Sequence, residues 1–208
     1  MRVIRRAPRT NGYLALLTDL DGTLIRSEDA ICEALADSFA EVGARIPSKQ
    51  KILSMLGLPG EEMLIALGGV GRWEEARIAL FITAYKHHYP IRMRLGATRI
   101  ANAKETVDSV AAAGYPVCLI TSERRSNAQF ILETLALSGA VRQTISRDDV
   151  VHFKPNPEPL LLASQLVGLP PEDCVYIGES PYDIQAGLAA GAYVAAVASG
   201  GYSQQSLI

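Results

Sequence analysis

The stretch LALLTDLDGTLIRSED, residues 14–29, joins an apolar run to a pair of aspartates, and it decides the fold. Leu14–Thr18 is short and apolar and is followed by polar and turn residues, which is typical of a buried strand in a parallel sheet. Asp19 and Asp21 come next, so two negative charges lie one residue apart. Like charges this close repel each other unless a positive group lies between them. The chain must therefore supply a cation at this point or bind one.

Other segments repeat the pattern of the first strand. Further strands are predicted at Pro116–Thr121, Cys174–Gly178 and Tyr193–Ala198, with a weaker one at Val141–Ser146. Amphipathic segments with residues typical of helix ends lie between the strands. The predicted helices are 98–113, 124–137, 156–168 and 180–191. This alternation predicts an α/β fold with a doubly wound, mostly parallel sheet and a Rossmann-like core.

Residues from about Ile25 to Arg94 interrupt the alternation, and no strand is predicted among them. A helix is expected from a cap at Ser27 to Gly43, followed by helical pieces at 48–56, 60–67 and 73–89, the last ended by Pro90. The predicted domains are a basic and disordered tail at 1–12, a catalytic core at 13–25 and 93–208, and an inserted α-helical cap subdomain at 26–92. Linkers are expected near residue 25 and at 91–95.

Composition excludes several classes of function. The chain has 208 residues, 49% of them hydrophobic, and a formal net charge of −2, so no overall positive field attracts nucleic acid. No apolar run is long enough to span a bilayer. The three cysteines are far apart in sequence, which argues against zinc and favours a reducing, cytoplasmic setting. No sustained heptad is visible, so either a monomer or a dimer is compatible with the sequence.

Polar side chains follow the predicted strands at the ends where ligands bind in open α/β sheets. They comprise four carboxylates, two hydroxyls and one ammonium. The set is Asp19, Asp21, Thr121, Ser122, Lys154, Glu179 and Asp183. Carboxylate oxygens at this density suit Mg²⁺, while a lysine and hydroxyls suit a phosphate dianion. One carboxylate would then be able to attack phosphorus, and a second would exchange protons with the leaving oxygen and with water.

Four motifs in order carry a resemblance to a known family. They are DLDGTL at 19–24, the strand-ending Thr121, KPNPEP at 154–159 and GESPYD at 178–183. Together they resemble the haloacid dehalogenase superfamily, in particular its phosphoglycolate-phosphatase-like branch, which also contains pyrophosphatases and sugar-phosphate mutases. The helical region between the first two motifs is similar to the small helical cap of that family.

The resemblance implies a role for each matching residue. Asp19 would be the nucleophile and a magnesium ligand, and Asp21 the general acid and base, with its main-chain carbonyl on the metal. Thr121 and the N–H of Ser122 would hold the phosphoryl group, and Lys154 would bridge it to Asp19. The two remaining acids, Glu179 and Asp183, would complete or orient the metal site.

One motif departs from the family pattern and leaves a question open. The fourth motif usually begins Gly-Asp, whereas this chain has Gly178-Glu179. Either Glu179 or Asp183 is then the direct metal ligand, and Glu179 reaches the metal directly or through water. The expected function is an Mg²⁺-dependent phosphatase that hydrolyses a small, phosphoglycolate-like metabolite through an aspartyl-phosphate. The alternatives are a sugar-phosphate mutase, a pyrophosphatase and a degenerate subunit that only binds.

Overall fold

The predicted strands form one central sheet in the computed structural model, which describes residues 2–4, 15–56, 60–68 and 73–207. Five strands run parallel, and a sixth pairs antiparallel at one edge. The strands are β1 (Arg2–Ile4), β2 (Ala15–Thr18), β5 (Val117–Ile120), β6 (Gln143–Ile145), β7 (Cys174–Gly178) and β8 (Tyr193–Ala196), in the spatial order β1-β8-β7-β2-β5-β6. The predicted fold class is confirmed.

The register of the central strands brings their carboxyl ends together. Thr18 at the end of β2 pairs with Leu119 on one side and with Ile177 on the other. All four residues of β2 and all four of β5 are buried, because helices cover both faces of the sheet. These helices are α5 (Ala103–Ala112), α6 (Arg125–Thr134), α7 (Glu158–Val167) and α8 (Pro181–Ala190). Residues that directly follow β2, β5 and β7 therefore meet at one edge.

The amino-terminal tail differs from its prediction. Residues 2–4 form β1, which pairs with β8 through Arg2 and Ala196 and through Ile4 and Val194. The prediction of disorder is wrong for these three residues. It rested on the charged side chains of the tail, whereas the edge of β8 offers backbone hydrogen bonds that do not depend on side-chain charge. The other residues of the predicted tail lie outside the described residues.

A small two-stranded ladder joins the helical segment to the sheet. Ile25–Arg26 forms β3 and Thr98–Arg99 forms β4, and the two pair antiparallel. The helix predicted to begin at residue 98 therefore begins at Ala103, and the prediction of no strand in 25–94 is wrong for β3. The late start of the helix has a local cause. Asn102 has φ 63°, in the left-handed region, so the helical conformation cannot extend back past Ala103.

Among the described residues between β3 and β4 there are four helices. They are α1 (Glu28–Glu41), α2 (Lys49–Leu53), α3 (Gly60–Gly68) and α4 (Glu75–Gly96). The predicted stop at Pro90 and the predicted linker at 91–95 are both wrong, since α4 continues through them. Tyr85, Tyr89 and Met93 are spaced by four residues, so they share one buried face. Burial of these large side chains outweighs the cost of about 3 kcal/mol that proline imposes inside a helix.

The strands separate two groups of buried side chains. Leu16 and Leu119 pack on the side of the helical segment, whereas Leu17, Ile120 and Tyr176 pack on the opposite face. In the described part of the chain, no helix combines the length and the apolar character needed to cross a lipid bilayer. The division into core and cap stays a prediction.

Candidate active site

The carboxyl edge of the sheet carries most of the residues that the sequence singled out. Asp19 extends β2, and its N–H donates to the Ile177 carbonyl over 2.9 Å; the N–H of Thr121 donates to the Ile145 carbonyl, also over 2.9 Å. One cavity at this edge, the central cavity, is lined by six of the seven predicted residues. They are Asp19, Asp21, Thr121, Ser122, Lys154 and Glu179. The seventh, Asp183, does not line this cavity but bonds to two residues that do, Lys154 and Glu179.

Lys154 supplies the positive charge that the paired aspartates require. Its Nζ donates to Asp19 Oδ1 over 2.6 Å, to Asp183 Oδ1 over 2.7 Å and to the Tyr176 hydroxyl over 3.2 Å. The lysine is only 5% exposed. Burial lowers its pKa, but Asp183 and Asp19 raise it more, so the pKa lies above its ordinary value and the ammonium remains charged. Three segments that are distant in sequence are therefore joined by one buried cation.

Asp183 has every oxygen engaged by a protein donor. Its Oδ1 accepts from Lys154 and from the Tyr176 hydroxyl, the latter over 2.6 Å. Its Oδ2 accepts from the Ser180 hydroxyl over 2.6 Å and from the N–H groups of Ser180 and Glu179, which fixes the first turn of α8. Burial raises the pKa of Asp183, but Lys154 and these donors bring it below its usual value. This carboxylate orients Lys154 and the loop that carries Glu179.

The Asp21 side chain accepts a hydrogen bond from a serine that was predicted to be a helix cap. Ser27 was expected to cap α1, but its hydroxyl donates to Asp21 Oδ1 over 2.5 Å and makes no capping bond. Burial and the nearby Glu123 charge raise the pKa of Asp21 to about 7. Burial likewise raises the pKa of Asp19 to about 7, although Lys154 opposes it. Burial thus favours the protonated form of both acids relative to ordinary aspartates.

Glu179 is a buried acid without a hydrogen-bond partner for one of its oxygens. It is 4% exposed, and its Oε2 makes no hydrogen bond within the described residues. Two glycines enclose it, since a Cβ at Gly200 would lie 2.4 Å from Oε2 and one at Gly22 would lie 2.6 Å from Cγ. Burial raises the pKa of Glu179 to about 9, and Asp19 and Asp183 add to that rise. An unsatisfied buried carboxylate is costly, so this oxygen is suited to a ligand.

The donor set fits Mg²⁺. Asp19, Asp21 and Glu179 line the same cavity, where burial raises the pKa of each carboxyl, so a cation at this place would offset their negative charge. Across the described ranges, no three Asp, Glu, His or Cys side chains form a group that holds a metal by themselves. Mg²⁺ usually binds one or two carboxylates and completes its octahedron with waters and a phosphate oxygen, so two acids and a main-chain carbonyl suffice.

A second cavity, here called the side cavity, opens beside the central one and was not predicted from the sequence. Its volume is about 270 Å³, and it shares Tyr85, Ser122 and Glu123 with the central cavity. Its polar lining comes from α4, from the turn after β5, from α6 and from the turn after β6, and includes Lys86, Tyr89, Glu123, Arg124, Asn127 and Arg147. The letters SERR after Thr121 indicated only the start of a helix.

Tyr176 was missed for a similar reason, because a tyrosine within an apolar strand is most often a core residue.

Comparisons with known proteins identify the family to which the chain belongs. The chain is 31% identical over 176 residues to phosphoglycolate phosphatase of Yersinia pestis, a match that covers 83% of this chain and 75% of the relative. It is 28% identical over 187 residues to pyrophosphatase PpaX of Bacillus cereus, covering 88% and 82%. A solved structure of a predicted phosphoglycolate phosphatase from Haemophilus somnus superposes with a TM-score of 0.84 at 21% identity, covering 90% of this chain and 86% of that one. Since the family model of haloacid dehalogenase-like hydrolases also matches residues 16–197, the chain belongs to that family.

Proposed function

We propose that the chain is an Mg²⁺-dependent phosphatase that hydrolyses a small phosphorylated metabolite through an aspartyl-phosphate on Asp19. One observation carries the proposal: Asp19, at the end of the central strand, shares a buried ammonium with Asp183, and Asp21 lies two residues away in the same cavity. The phosphatase names of the relatives support the reaction class.

The reaction proceeds in two steps on the residues of this chain. In the first, an Asp19 oxygen forms a bond to phosphorus, the bond from phosphorus to the leaving oxygen breaks, and Asp21 gives that oxygen a proton. In the second, Asp21 takes a proton from water, the water oxygen bonds to phosphorus, and the bond to Asp19 breaks with release of phosphate. Burial favours the protonated form of Asp21, which suits the acid role in the first step, and the carboxylate that this step leaves suits the base role in the second.

The phosphoryl group has its own donors in this proposal. Thr121 Oγ1 accepts from the Glu123 N–H over 3.1 Å, which leaves its own proton for a phosphoryl oxygen. The N–H of Ser122 and the ammonium of Lys154 would provide further donors. Such donors, fixed before the reaction, stabilise charge that develops on the transferring group.

Mg²⁺ would bind Asp19, the Glu179 oxygen that makes no hydrogen bond, and the main-chain carbonyl of Asp21. Asp183 would orient the site through its bond to Lys154. When bound, the ion supplies positive charge that offsets both the carboxylates and the phosphate. We assign direct metal binding to Glu179 because both carboxylate oxygens of Asp183 already accept hydrogen bonds from protein donors.

The alternatives differ in how the phosphoenzyme is used. A sugar-phosphate mutase would return the phosphoryl group to a sugar, so product analysis with a hexose 1-phosphate distinguishes it from a phosphatase. Release of phosphate from pyrophosphate would identify a pyrophosphatase. A subunit that only binds is the weakest alternative, because Asp19, Asp21 and Lys154 are all present and Lys154 bonds to Asp19.

We also propose a cellular compartment and binding partners for the enzyme. A reducing cytoplasm is supported by the cysteines, all three of which are buried and free. The expected partner is the phosphorylated substrate itself, with the chain acting as a monomer or a dimer and without nucleic acid.

Removal of the metal tests the proposed function directly. We expect the purified chain to release phosphate from p-nitrophenyl phosphate when Mg²⁺ is present. Excess EDTA should lower the rate at least about 100-fold, because the metal offsets the repulsion between the site carboxylates and the phosphate. Added Mg²⁺ should restore the rate. Turnover that is indifferent to EDTA would contradict the proposed role of the metal.

Glu179→Gln tests the assignment of the metal ligand. The change keeps the size of the side chain and removes a carboxyl whose raised pKa makes its burial costly at neutral pH, so the metal-free variant should be as stable as the wild type or more stable. Mg²⁺ should raise the melting temperature of the wild type and not that of the variant at the same concentration. Differential scanning fluorimetry with a magnesium titration measures both effects.

Glu172→Gln is the matched control, since Glu172 lies in the turn before β7 and outside both cavities. This control should keep the response to magnesium. An equal response in Glu179→Gln would move the ligand role away from Glu179.

A further inference from the structure

A short segment after β8 carries a serine and two adjacent glycines beside the central cavity. It comprises residues 197–202 and reads VASGGY. At one end, the Val197 N–H donates to the Gly178 carbonyl over 3.0 Å. At the other end, the Tyr202 hydroxyl donates over 3.1 Å to the carbonyl of Leu56, a residue that lines the central cavity. The segment is therefore fixed at both ends where it runs beside this cavity.

Ser199 binds the turn that follows Asp21. Its hydroxyl donates to the Gly22 carbonyl over 2.6 Å. Gly22 has φ 73°, and its N–H donates to the Ile25 carbonyl over 2.8 Å, so both sides of this residue are held. The main-chain carbonyl that we assign to the metal belongs to the peptide between Asp21 and Gly22. Fixing Gly22 therefore limits the rotation of that peptide and the direction of its oxygen.

Gly200 leaves the space that the Glu179 carboxylate occupies. A Cβ at Gly200 would lie 2.4 Å from Glu179 Oε2, 2.7 Å from Cδ and 3.0 Å from the Cα of Gly22. The φ of Gly200 lies outside the left-handed region, so it is the close approach and not the backbone conformation that requires glycine here. At the neighbouring Gly201, a Cβ would lie 3.7 Å from the Leu53 carbonyl oxygen, which is an ordinary van der Waals distance.

We propose that the segment after β8 positions the Mg²⁺ site, with Ser199 orienting the main-chain carbonyl of Asp21 and Gly200 setting the place of the Glu179 carboxylate. This inference rests on the metal site of the proposed function and adds residues behind it. Glu179 Oε2 makes no hydrogen bond within the described residues, so packing against main chain sets its position. Ser199 and Gly200 do not touch the metal in this proposal, and both are positioning residues. Residues behind metal ligands typically change metal affinity by about 10–100-fold.

Ser199→Ala tests the orienting hydrogen bond. The change removes one oxygen atom, and we expect the dissociation constant for Mg²⁺ of the substrate-free protein to rise about tenfold. Isothermal titration calorimetry on metal-free protein measures this constant. Turnover at saturating Mg²⁺ should return to near the wild-type rate, because the ligands themselves are intact. Ser206→Ala is the matched control, since the exposed Ser206 hydroxyl donates to the Ser203 carbonyl, and it should keep the wild-type affinity.

Gly200→Ala and Gly201→Ala test the space around Glu179. Each change adds one methyl group, but only the methyl group at position 200 would overlap the Glu179 carboxylate. We expect Gly200→Ala to weaken Mg²⁺ binding at least about tenfold and Gly201→Ala to leave it unchanged. Melting temperatures without metal accompany the titrations. A merely structural role would lower the melting temperature of Gly200→Ala and leave the affinity of the folded protein unchanged.

These binding measurements separate the inference from the proposed function. Weaker Mg²⁺ binding in Ser199→Ala, with the Ser206→Ala control unchanged, supports the inference even if the wild type hydrolyses no phosphate ester. If Gly200→Ala fails to fold, the Ser199→Ala result decides alone. Wild-type affinity in Ser199→Ala, or in folded Gly200→Ala, overturns the inference and leaves the proposed function standing. A wild type that binds no Mg²⁺ overturns both.

Discussion

Asp19→Asn is expected to lower phosphate release from p-nitrophenyl phosphate by about 10⁴-fold or more in kcat. Asparagine fills the same space, but its amide is a poor nucleophile, so no aspartyl-phosphate forms. The fold should persist, because the amide oxygen of the new side chain still accepts from Lys154, and Lys154 still has Asp183. Steady-state assays with Mg²⁺ measure the loss, and acid-quenched mass spectrometry reports whether the peptide that contains residue 19 carries a phosphoryl group.

Asp29→Asn is the matched control for this prediction. Asp29 lies on α1 with its side chain 71% exposed and bonds to Lys49, a surface pair of the kind that contributes little. The control should retain both turnover and the phosphorylated peptide. Substantial turnover by Asp19→Asn, or a phosphoryl group found on a different peptide, would remove Asp19 from the nucleophile's role.

The sheet could be predicted because its strands are buried on both faces. A strand covered by helices on both sides is apolar without interruption, so β2, β5 and β7 stand out from their surroundings. Parallel strands also align their carboxyl ends. Residues that follow them in the sequence, such as Asp19 and Thr121, can therefore be placed together from the sequence alone.

The features that were missed depend on tertiary packing. The ladder of β3 and β4 contains only two residues on each strand, and nothing within either stretch distinguishes it from a turn or a helix start. Pro90 signals a helix end locally, yet burial of Tyr89 and Met93 keeps α4 intact. The bond from Ser27 to Asp21 was missed as well, since the Ser27 hydroxyl donates to the Asp21 carboxylate and accepts no capping bond from the N–H groups of α1.

Lys154→Met is expected to destabilise the protein by about 3–5 kcal/mol at neutral pH, because it leaves two buried carboxylates without their shared cation. Methionine matches the lysine stem in length, so the loss reflects charge and not an empty space. Lys49→Met is the control, since Lys49 is exposed and bonds only to Asp29 on the surface. Its free energy of unfolding should change by less than about 0.5 kcal/mol. Urea unfolding measures both variants.

The pH dependence of the Lys154→Met defect identifies its electrostatic origin. In the wild type, burial raises the pKa of Asp183, but Lys154 and the hydrogen bonds to Asp183 hold it below its usual value. Asp183 therefore contributes stability above the unfolded pKa of about 4, and this contribution is lost as the pH falls through the folded value. Without the lysine, burial and the mutual repulsion of Asp19 and Asp183 raise both pKa values. Groups shifted upward favour the folded state in acid and lose that contribution as the pH rises.

The deficit of Lys154→Met should accordingly shrink between pH 8 and pH 5, whereas that of Lys49→Met should stay small throughout. Adding Asp19→Asn to Lys154→Met removes one of the two facing charges and should recover part of the lost stability at pH 8. A deficit that is constant with pH, or a double variant no more stable than Lys154→Met alone, would show that Lys154 acts through packing. Lys154 would then not be the charge that lets acids from β2 and α8 share one buried site.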